Sequence, residues 1–406
     1  MKKFNAIFLT FLCALLALVP AISCAQKMVQ GKVLNADTKK PVDNANIYFD
    51  NTQIKSKTTQ QGLFKLYADK IYQKLIVSAI GYEKATVDIK DESANYYTIL
   101  LSEKVIELQD VNIRSGVNDW QRWGDLFARL LLGNDRHISS RCEFLNKKDI
   151  LFYFDEDNME LRVSSKKPIL ISNMFLGYYQ TLDLETFTYN FITDEVRWDA
   201  SIYYTPLPQK DNHHESTLKY SYLGSKMHFY RSLFGNNLLE EGFKCYKYTA
   251  VKNLNKARVF AQVQKYRAKR LSYKKKVSEF VLDDNRDSSK YYAKVLREED
   301  FIRWDTTRID AQKYIYIDTL TKQTIFFPKD SIMVLYTPFG GSKVQPDFEG
   351  ISTFMSTKKT IMFLTEDNPL ILHPAGFVST NALMMVGYMG EKRLAQLLPF
   401  DFIYSH

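Results

Sequence analysis

The chain is poor in cysteine: its 406 residues hold four. Two of them, Cys13 and Cys24, fall within the first 25 residues, so only Cys142 and Cys245 lie beyond that stretch. This excludes a small scaffold stapled by many disulfides. Two readings of the remaining pair stay open. They could close a loop of about a hundred residues as a disulfide, or sit apart as two buried thiols behaving like small hydrophobes. Spacing in sequence does not fix the Cα separation that a disulfide requires. Long apolar runs are also missing after the N-terminal stretch. None reaches the roughly 18 consecutive apolar residues of a membrane-spanning helix, so no integral span is expected in the mature chain. Catalytic signatures are missing too. There is no Gly-x-Ser-x-Gly, no His-Glu-x-x-His and no glycine-rich phosphate loop. No catalytic, cofactor-binding or metal-binding residue is therefore assigned, and no cofactor is expected.

What is present begins with an address. Met1-Lys2-Lys3 is a short basic region, and an apolar run follows from Phe4 to Ile22. Ser23-Cys24-Ala25 before Gln26 provides the small residues of a cleavage site. Residues 1–25 are expected to be a signal peptide, and the protein to be exported, in the periplasm or at the outer membrane. Ala21-Ile22-Ser23-Cys24 resembles a lipoprotein box, with Ala21 in place of the usual leucine. A lipid anchor at Cys24 thus stands beside ordinary cleavage, and an uncleaved anchor is a third option. Cleavage after Ala25 would leave 381 residues (406 − 25) and lower the formal charge from +9 to +7 as Lys2 and Lys3 leave. That length accommodates two or three domains. A mild positive excess suits contact with an anionic lipid or glycan surface. Nucleic acid is not expected as a partner of an exported chain.

From Met28 to Leu101, turn signals recur every eight to twelve residues between short runs rich in Val, Ile, Tyr and Phe. This spacing predicts an all-β sandwich. The expected strands are Met28–Leu34, Asn46–Phe49, Leu63–Tyr67, Lys74–Ala79, Glu83–Ile89 and Tyr96–Leu101. Ile47, Phe49, Phe64, Leu66, Ile76 and Val77 should form its core. Gly62 and Gly81 should take positive φ in turns. The segment carries Gly31–Val33, Pro41-Val42 with Ala45–Ile47, Thr59–Phe64 and Gly81-Tyr82, in that order. In these motifs it resembles the carboxypeptidase-regulatory-like domain, a seven-stranded, transthyretin-like β-sandwich. Gln60-Gln61 departs from the family, which often has Asp before this glycine. The resemblance implies a domain without catalytic residues, so the family name implies no peptidase. It also implies the setting in which such domains occur, at the N-termini of outer-membrane receptors and envelope proteins of Bacteroidetes-type bacteria.

The expected organisation is a sandwich over 26–103, a linker over 104–118 and a larger β-rich region over 119–406. In the linker, Leu108, Val111 and Ile113 could extend a strand. Trp120, Trp123, Leu126, Phe127, Leu130 and Leu131 recur at offsets of three and four, which predicts a helix from Asp119 to Leu132 closed by Gly133. Ile150–Phe154 and Met159–Val163 flank the acidic turn Asp155–Asn158 and predict a hairpin. That turn lacks the glycine and distal glutamate of a calcium loop. Further strands are expected at Ile169–Ile171, Tyr178–Leu184, Thr188–Phe191, Ser201–Thr205, Arg258–Gln264, Ser278–Leu282, Tyr314–Ile317, Thr324–Phe327 and Ile332–Tyr336. Tyr222–Phe234 reads as a helix. The whole is expected to be mainly β: the sandwich plus a larger antiparallel β-rich α+β domain, with a closed outer-membrane barrel disfavoured by short, irregular strands. The phrases Asn173–Tyr178, Tyr220–Phe229 with Glu241-Gly242-Phe243, and Gly387-Tyr388 with Arg393 and Leu398–Asp401 resemble uncharacterised Bacteroidetes envelope proteins with such a leading domain. That resemblance implies no activity.

A few side chains merit weighing as chemistry. His213-His214-Glu215 could ligate a metal, but a solvated loop is the favoured reading because further ligands are not marked. His228, near Arg231 and Glu241, is the best single catalytic candidate, against a buried structural histidine. Cys245 with His228 could mimic a thiol-protease pair, but no orienting group is marked. Lys252 to Lys276 carries ten Lys or Arg with Tyr266 and Tyr273 interleaved. It suits an anionic surface, though a solvated hairpin or loop is favoured. Gly340-Gly341-Ser342-Lys343 reads as a flexible turn. The functional expectation is a non-catalytic cell-envelope protein, with a docking sandwich and a C-terminal region that binds a partner protein or a glycan. Two alternatives stand beside it: a hydrolase with a pocket where His228, Glu240 and Glu241 converge, and an accessory factor of an outer-membrane transporter.

Overall fold

The computed structural model describes residues 27–69, 72, 74–89, 96–104, 116–208, 214–272, 286–298, 301–338, 357–379 and 382–404. The signal region, Leu108, Val111, Ile113, His213, the Ser278–Leu282 strand and the Gly340–Lys343 turn lie outside these residues. Two compact units emerge. One falls within Met1–Asp50 and Ile54–Ile106, the other within Asn51–Gln53 and Glu107–His406.

The first unit is a β-sandwich. Its strands are β1 (Lys27–Asn35), β2 (Asn46–Phe49), β3 (Lys55–Lys57), β4 (Leu63–Ala68), β5 (Lys74–Ser78), β6 (Ala85–Asp88) and β7 (Tyr96–Leu101). They form two sheets, in the orders β4-β1-β7 and β3-β2-β5-β6. β3 has no counterpart among the expected strands, because Lys55-Ser56-Lys57 carries no apolar residue to signal it. Alternation sorts the faces: in β4, Phe64, Leu66 and Ala68 are buried while Leu63, Lys65 and Tyr67 are exposed. All six expected core residues are buried, none more than 3% exposed. The family-like motifs have local physical reasons. A Cβ on Gly31 would lie 2.0 Å from the Tyr97 carbonyl oxygen, so only glycine lets β1 and β7 pair this closely. Gly62 turns at φ +73°. The buried Thr58 hydroxyl donates to the Val42 carbonyl (2.7 Å) and accepts from the Ala45 amide (2.8 Å), which fixes the Pro41–Ala45 loop. Asn35 ends β1 by accepting the amides of Asp37 (2.9 Å) and Thr38 (2.8 Å) on one side-chain oxygen.

In the second unit, a six-stranded antiparallel sheet comprises β8 (Cys142–Phe144), β9 (Ile150–Asp155), β10 (Glu160–Ser165), β11 (Ile169–Asn173), β12 (Tyr178–Asn190) and β13 (Glu195–Pro206). The β9–β10 hairpin forms as expected. Its acidic turn is an Asx turn: the Asp155 carboxylate accepts the amides of Asp157 and Asn158, both at 3.1 Å. The two strands expected at Tyr178–Leu184 and Thr188–Phe191 are one strand, β12. A bulge between Leu184 and Thr186 absorbs the interruption in its alternation. Helix α1 (Trp120–Leu132) lays its apolar stripe on this sheet. Phe127, fully buried, meets the rings of Phe187 (4.9 Å between centroids), Phe144 (5.7 Å) and Phe152 (5.8 Å).

Helices α2 (His214–Tyr222) and α3 (Lys226–Phe234) replace the single helix expected over Tyr222–Phe234. The break follows from Gly224 at φ +65° and from Ser225, whose hydroxyl caps α3 by accepting the His228 amide. A five-stranded sheet follows, ordered β15-β14-β18-β19-β22, from β14 (Phe243–Lys252), β15 (Phe301–Ile309), β18 (Ile332–Tyr336), β19 (Lys358–Leu364) and β22 (Leu383–Gly387). A smaller sheet joins β16 (Ile315–Ile317), β17 (Thr324–Phe326), β20 (Leu370–His373) and β21 (Phe377–Val378). The strand expected at Arg258–Gln264 is instead part of helix α4 (Leu254–Ser272), followed by helix α5 (Arg286–Leu296). Val259 and Val263, one helical turn apart, bury themselves with Val295, so helical spacing outweighs the β-branched composition. Among the described residues no sheet closes into a barrel. The architecture is mainly β with packed helices. Cys142 and Cys245 are both free, one on β8 and the other on β14. Of the two readings, separate thiols hold.

Candidate functional site

His228 sits near the start of α3 and is 2% exposed. Its Nδ1 accepts the Gly224 amide at 3.0 Å, so Nε2 carries the proton and donates to the Glu241 carboxylate, also at 3.0 Å. The rings of Tyr222 and Phe243 lie 4.8 Å from the imidazole and that of Tyr336 lies 5.7 Å away. Burial pushes the Tyr222 and Tyr336 hydroxyls up from their ordinary range. Arg231 engages other groups: its guanidinium lies 5.6 Å from the Tyr222 ring centroid and donates to the carbonyls of Ala375 (3.0 Å) and Phe400 (3.1 Å). Glu240 is exposed on the surface. Both imidazole nitrogens are thus engaged inside an aromatic box, and the pocket required by the hydrolase alternative does not form around His228, Glu240 and Glu241. The thiol pairing fails as well. Burial, with Asp310 nearby, pushes the Cys245 thiol up to about 12, and His228 has no ring nitrogen left to take its proton.

A cleft of about 530 Å³ opens elsewhere in this unit. Its walls include Tyr178 at the start of β12, His214, Glu215 and Lys219 on α2, and Phe402 and Tyr404 near the C-terminus. The expected solvated loop at His214-Glu215 is therefore the first turn of a helix facing a cavity. The imidazole of His214 rests directly on Gly177. A Cβ there would sit 2.0 Å from its Nε2, and Gly177 itself turns at φ +74°. Glu215 and Lys219 stand one turn apart on α2. The Lys219 ammonium lies 5.8 Å from the Tyr404 ring centroid, and Tyr404 stacks on Tyr222 at 4.6 Å. Burial, with Asp401 beside it, raises the Tyr178 hydroxyl. The cleft therefore offers aromatic faces beside a carboxylate, an ammonium and an imidazole. Among the described residues no three His, Cys, Asp or Glu side chains gather as a metal site.

The segment that leads into the cleft-lining Phe402 and Tyr404, residues 392–400, is a strap held by hydrogen bonds to distant elements. Lys392 donates to the carbonyls of Tyr220 (2.7 Å), Leu223 (2.9 Å) and Ser221 (3.2 Å), capping the C-terminal end of α2. Burial and the neighbouring Lys358 ammonium push Lys392 down to about 7, while the three carbonyls favour its charged form. Arg393 donates to the Leu130 carbonyl in the last turn of α1. Coming the other way, Gln180 donates to the Leu394 carbonyl (3.0 Å), Asn173 to Ala395 (3.1 Å) and Tyr204 to Leu397 (3.0 Å). Asn173 and Gln180 are fully buried, so the strap supplies acceptors that these amides require. Tyr178, Lys219, Phe402 and Tyr404 were not singled out by sequence reasoning. The only available signal was that Gly177-Tyr178 and Phe400-Asp401 stood within the family-like phrases.

Residues 29–113 match the family model of the CarboxypepD_reg-like domain. The match covers the sandwich and ends at residue 113, so of the cleft-lining residues it includes Gln53 alone. No curated protein matches the chain. Among solved structures, one similar chain is a protein from Bacteroides fragilis, described as membrane-associated and of unknown function. The identity is 9% and the TM-score 0.16, over 89% of this chain and 98% of that one. Another is a 9R-lipoxygenase from Cyanothece, at 11% identity and TM-score 0.17, over 53% of this chain and 49% of that one. At these TM-scores neither likeness carries an argument about this chain. No helix among the described residues is long and apolar enough to cross a membrane.

Proposed function

We propose that this is an exported, non-catalytic cell-envelope protein whose second unit binds a glycan in the cleft beside α2. Residues 1–25 act as the signal, 26–103 as a docking sandwich, 104–118 as a linker and 119–406 as the ligand-binding region. The envelope of a Bacteroidetes-type bacterium is the setting, in the periplasm or at the outer membrane, with or without lipid on Cys24. The sandwich motifs and the N-terminal basic-apolar pattern support that address. The observation that carries the binding reading is the cleft itself. Tyr178, Phe402 and Tyr404, the last backed by its stack on Tyr222, contribute aromatic surface of the kind that packs on the C–H face of a sugar ring, and Glu215 and Lys219 line the same cleft with charged groups for its hydroxyls. The doubly engaged His228 supports a binding protein over a hydrolase.

The test is calorimetric titration of the mature chain with a panel of soluble envelope oligosaccharides. Binding of one class, weakened about tenfold or more by Tyr404→Ala and accompanied by no hydrolysis of the sugar, is expected. Release of reducing ends, or affinity untouched by Tyr404→Ala and Lys219→Ala together, would sink the proposal.

A further inference from the structure

Helices α4 and α5 form an insertion between two paired strands. β14 and β15 run antiparallel, from the Cys245–Ile309 pair to the Lys252–Phe301 pair, and both helices lie in the chain between those last two residues. β15 is an edge strand of its sheet. The helices share a small apolar cluster of their own, Val259, Val263 and Val295 with Tyr292 and Leu296 packed on it. Their other faces are cationic. On α4, Leu254, Arg258 and Lys265 are exposed, and offsets of four and eleven residues place all three within about 40° of one another around the helix. The buried valines face the opposite side. On α5 and just past its end, Lys290, Lys294 and Arg297 are exposed and form a second stripe, away from Val295. In sequence, residues 253–298 hold thirteen Lys or Arg against five Asp or Glu, and of these acids Glu298 accepts from the Asn253 amide at 3.1 Å.

Leu254, 74% exposed, lies on the α4 stripe, while Tyr291 (46% exposed) and Tyr266 (42%) border the stripes on the side toward the buried valines. A purely solvated helix pair gains nothing from leaving such groups in water. A stripe of Lys and Arg that carries Leu254 and is bordered by exposed Tyr suits the boundary of an anionic bilayer, where the cations meet headgroups and the apolar groups enter the acyl margin. We propose that the α4–α5 hairpin docks the protein on a membrane surface rich in anionic phospholipid headgroups. This deepens the envelope reading but does not depend on the cleft. A single acyl chain gives only marginal attachment, and a basic patch is the kind of second signal that makes it stable. The hairpin would serve in that way if Cys24 carries lipid.

The experiment is co-sedimentation of the mature, unlipidated chain with vesicles of phosphatidylcholine alone or doped with phosphatidylglycerol, at low and high salt. Binding to the doped vesicles only, weakened by salt, is expected. The triple change Arg258→Gln, Lys265→Gln and Lys290→Gln should lower partitioning by about tenfold or more, and Leu254→Gln should lower it by a smaller factor. Far-ultraviolet circular dichroism should match the parent in both variants. Tyr404→Ala, which tests the cleft, should leave vesicle binding unchanged, so failure of one proposal is distinguishable from failure of the other. Equal binding to neutral vesicles, no binding to doped ones, or full binding by the folded triple variant would overturn the proposal. Capture on a free polyanionic glycan without vesicle binding would overturn it as well.

Discussion

His373 shows how burial sets a pH response in this protein. Its imidazole stacks on Phe377 at 4.2 Å, and Phe377 stacks in turn on Phe400 at 4.1 Å. Burial pushes its pKa down to about 4, so the folded state holds the ring neutral. In the unfolded chain the same ring protonates near its ordinary value of about 6.5. Between these values the unfolded state binds more protons, and stability falls as pH drops. The contribution is complete above about 6.5 and is lost by about 4. Chemical denaturation of the parent across this window should show the decline, and His373→Phe, which keeps the stack, should flatten it. An unchanged slope in the variant would assign the acid sensitivity to carboxylates instead.

At the scale of elements, α1 and its sheet depend on one ring. Phe127 touches strands β8, β9 and β12 through Phe144, Phe152 and Phe187. Truncation to alanine should cost about 3–5 kcal/mol and lower the melting temperature of the second unit; a loss below about 1 kcal/mol would show that the neighbours close the cavity. Elements of this kind were legible in the sequence. The three-and-four spacing from Trp120 to Leu131 and the turn at Asp155 each had a local cause, and both formed. The Arg258–Gln264 stretch misled, because Val259 and Val263 satisfy a strand by composition and a helix by spacing. What decides between them is Val295, a partner more than thirty residues away. The cleft was illegible for the same reason. Tyr178 and Tyr404 line one cleft from distant parts of the chain, and no local pattern announces such a wall.

At the scale of the whole molecule, the sandwich has its own buried core and its own two sheets. Expressed alone, residues 26–103 should unfold in a single cooperative urea transition, with Ile47 and Phe49 amides among the slowest to exchange. A broad, non-cooperative loss of structure would mean that this unit cannot stand by itself. The second unit follows a different logic, in which distant segments complete one another's hydrogen bonds.

The strap embodies that logic. Lys392 and Arg393, adjacent in sequence, close the ends of two different helices, and the carbonyls that follow satisfy buried amides on two different strands. Every one of these partners precedes the strap in the chain. Without residues 392–397, the carbonyls at the ends of α1 and α2 and the side-chain amides of Asn173 and Gln180 would exchange these partners for water. Packing of the second unit is thus completed by contacts more than 160 residues apart in the chain.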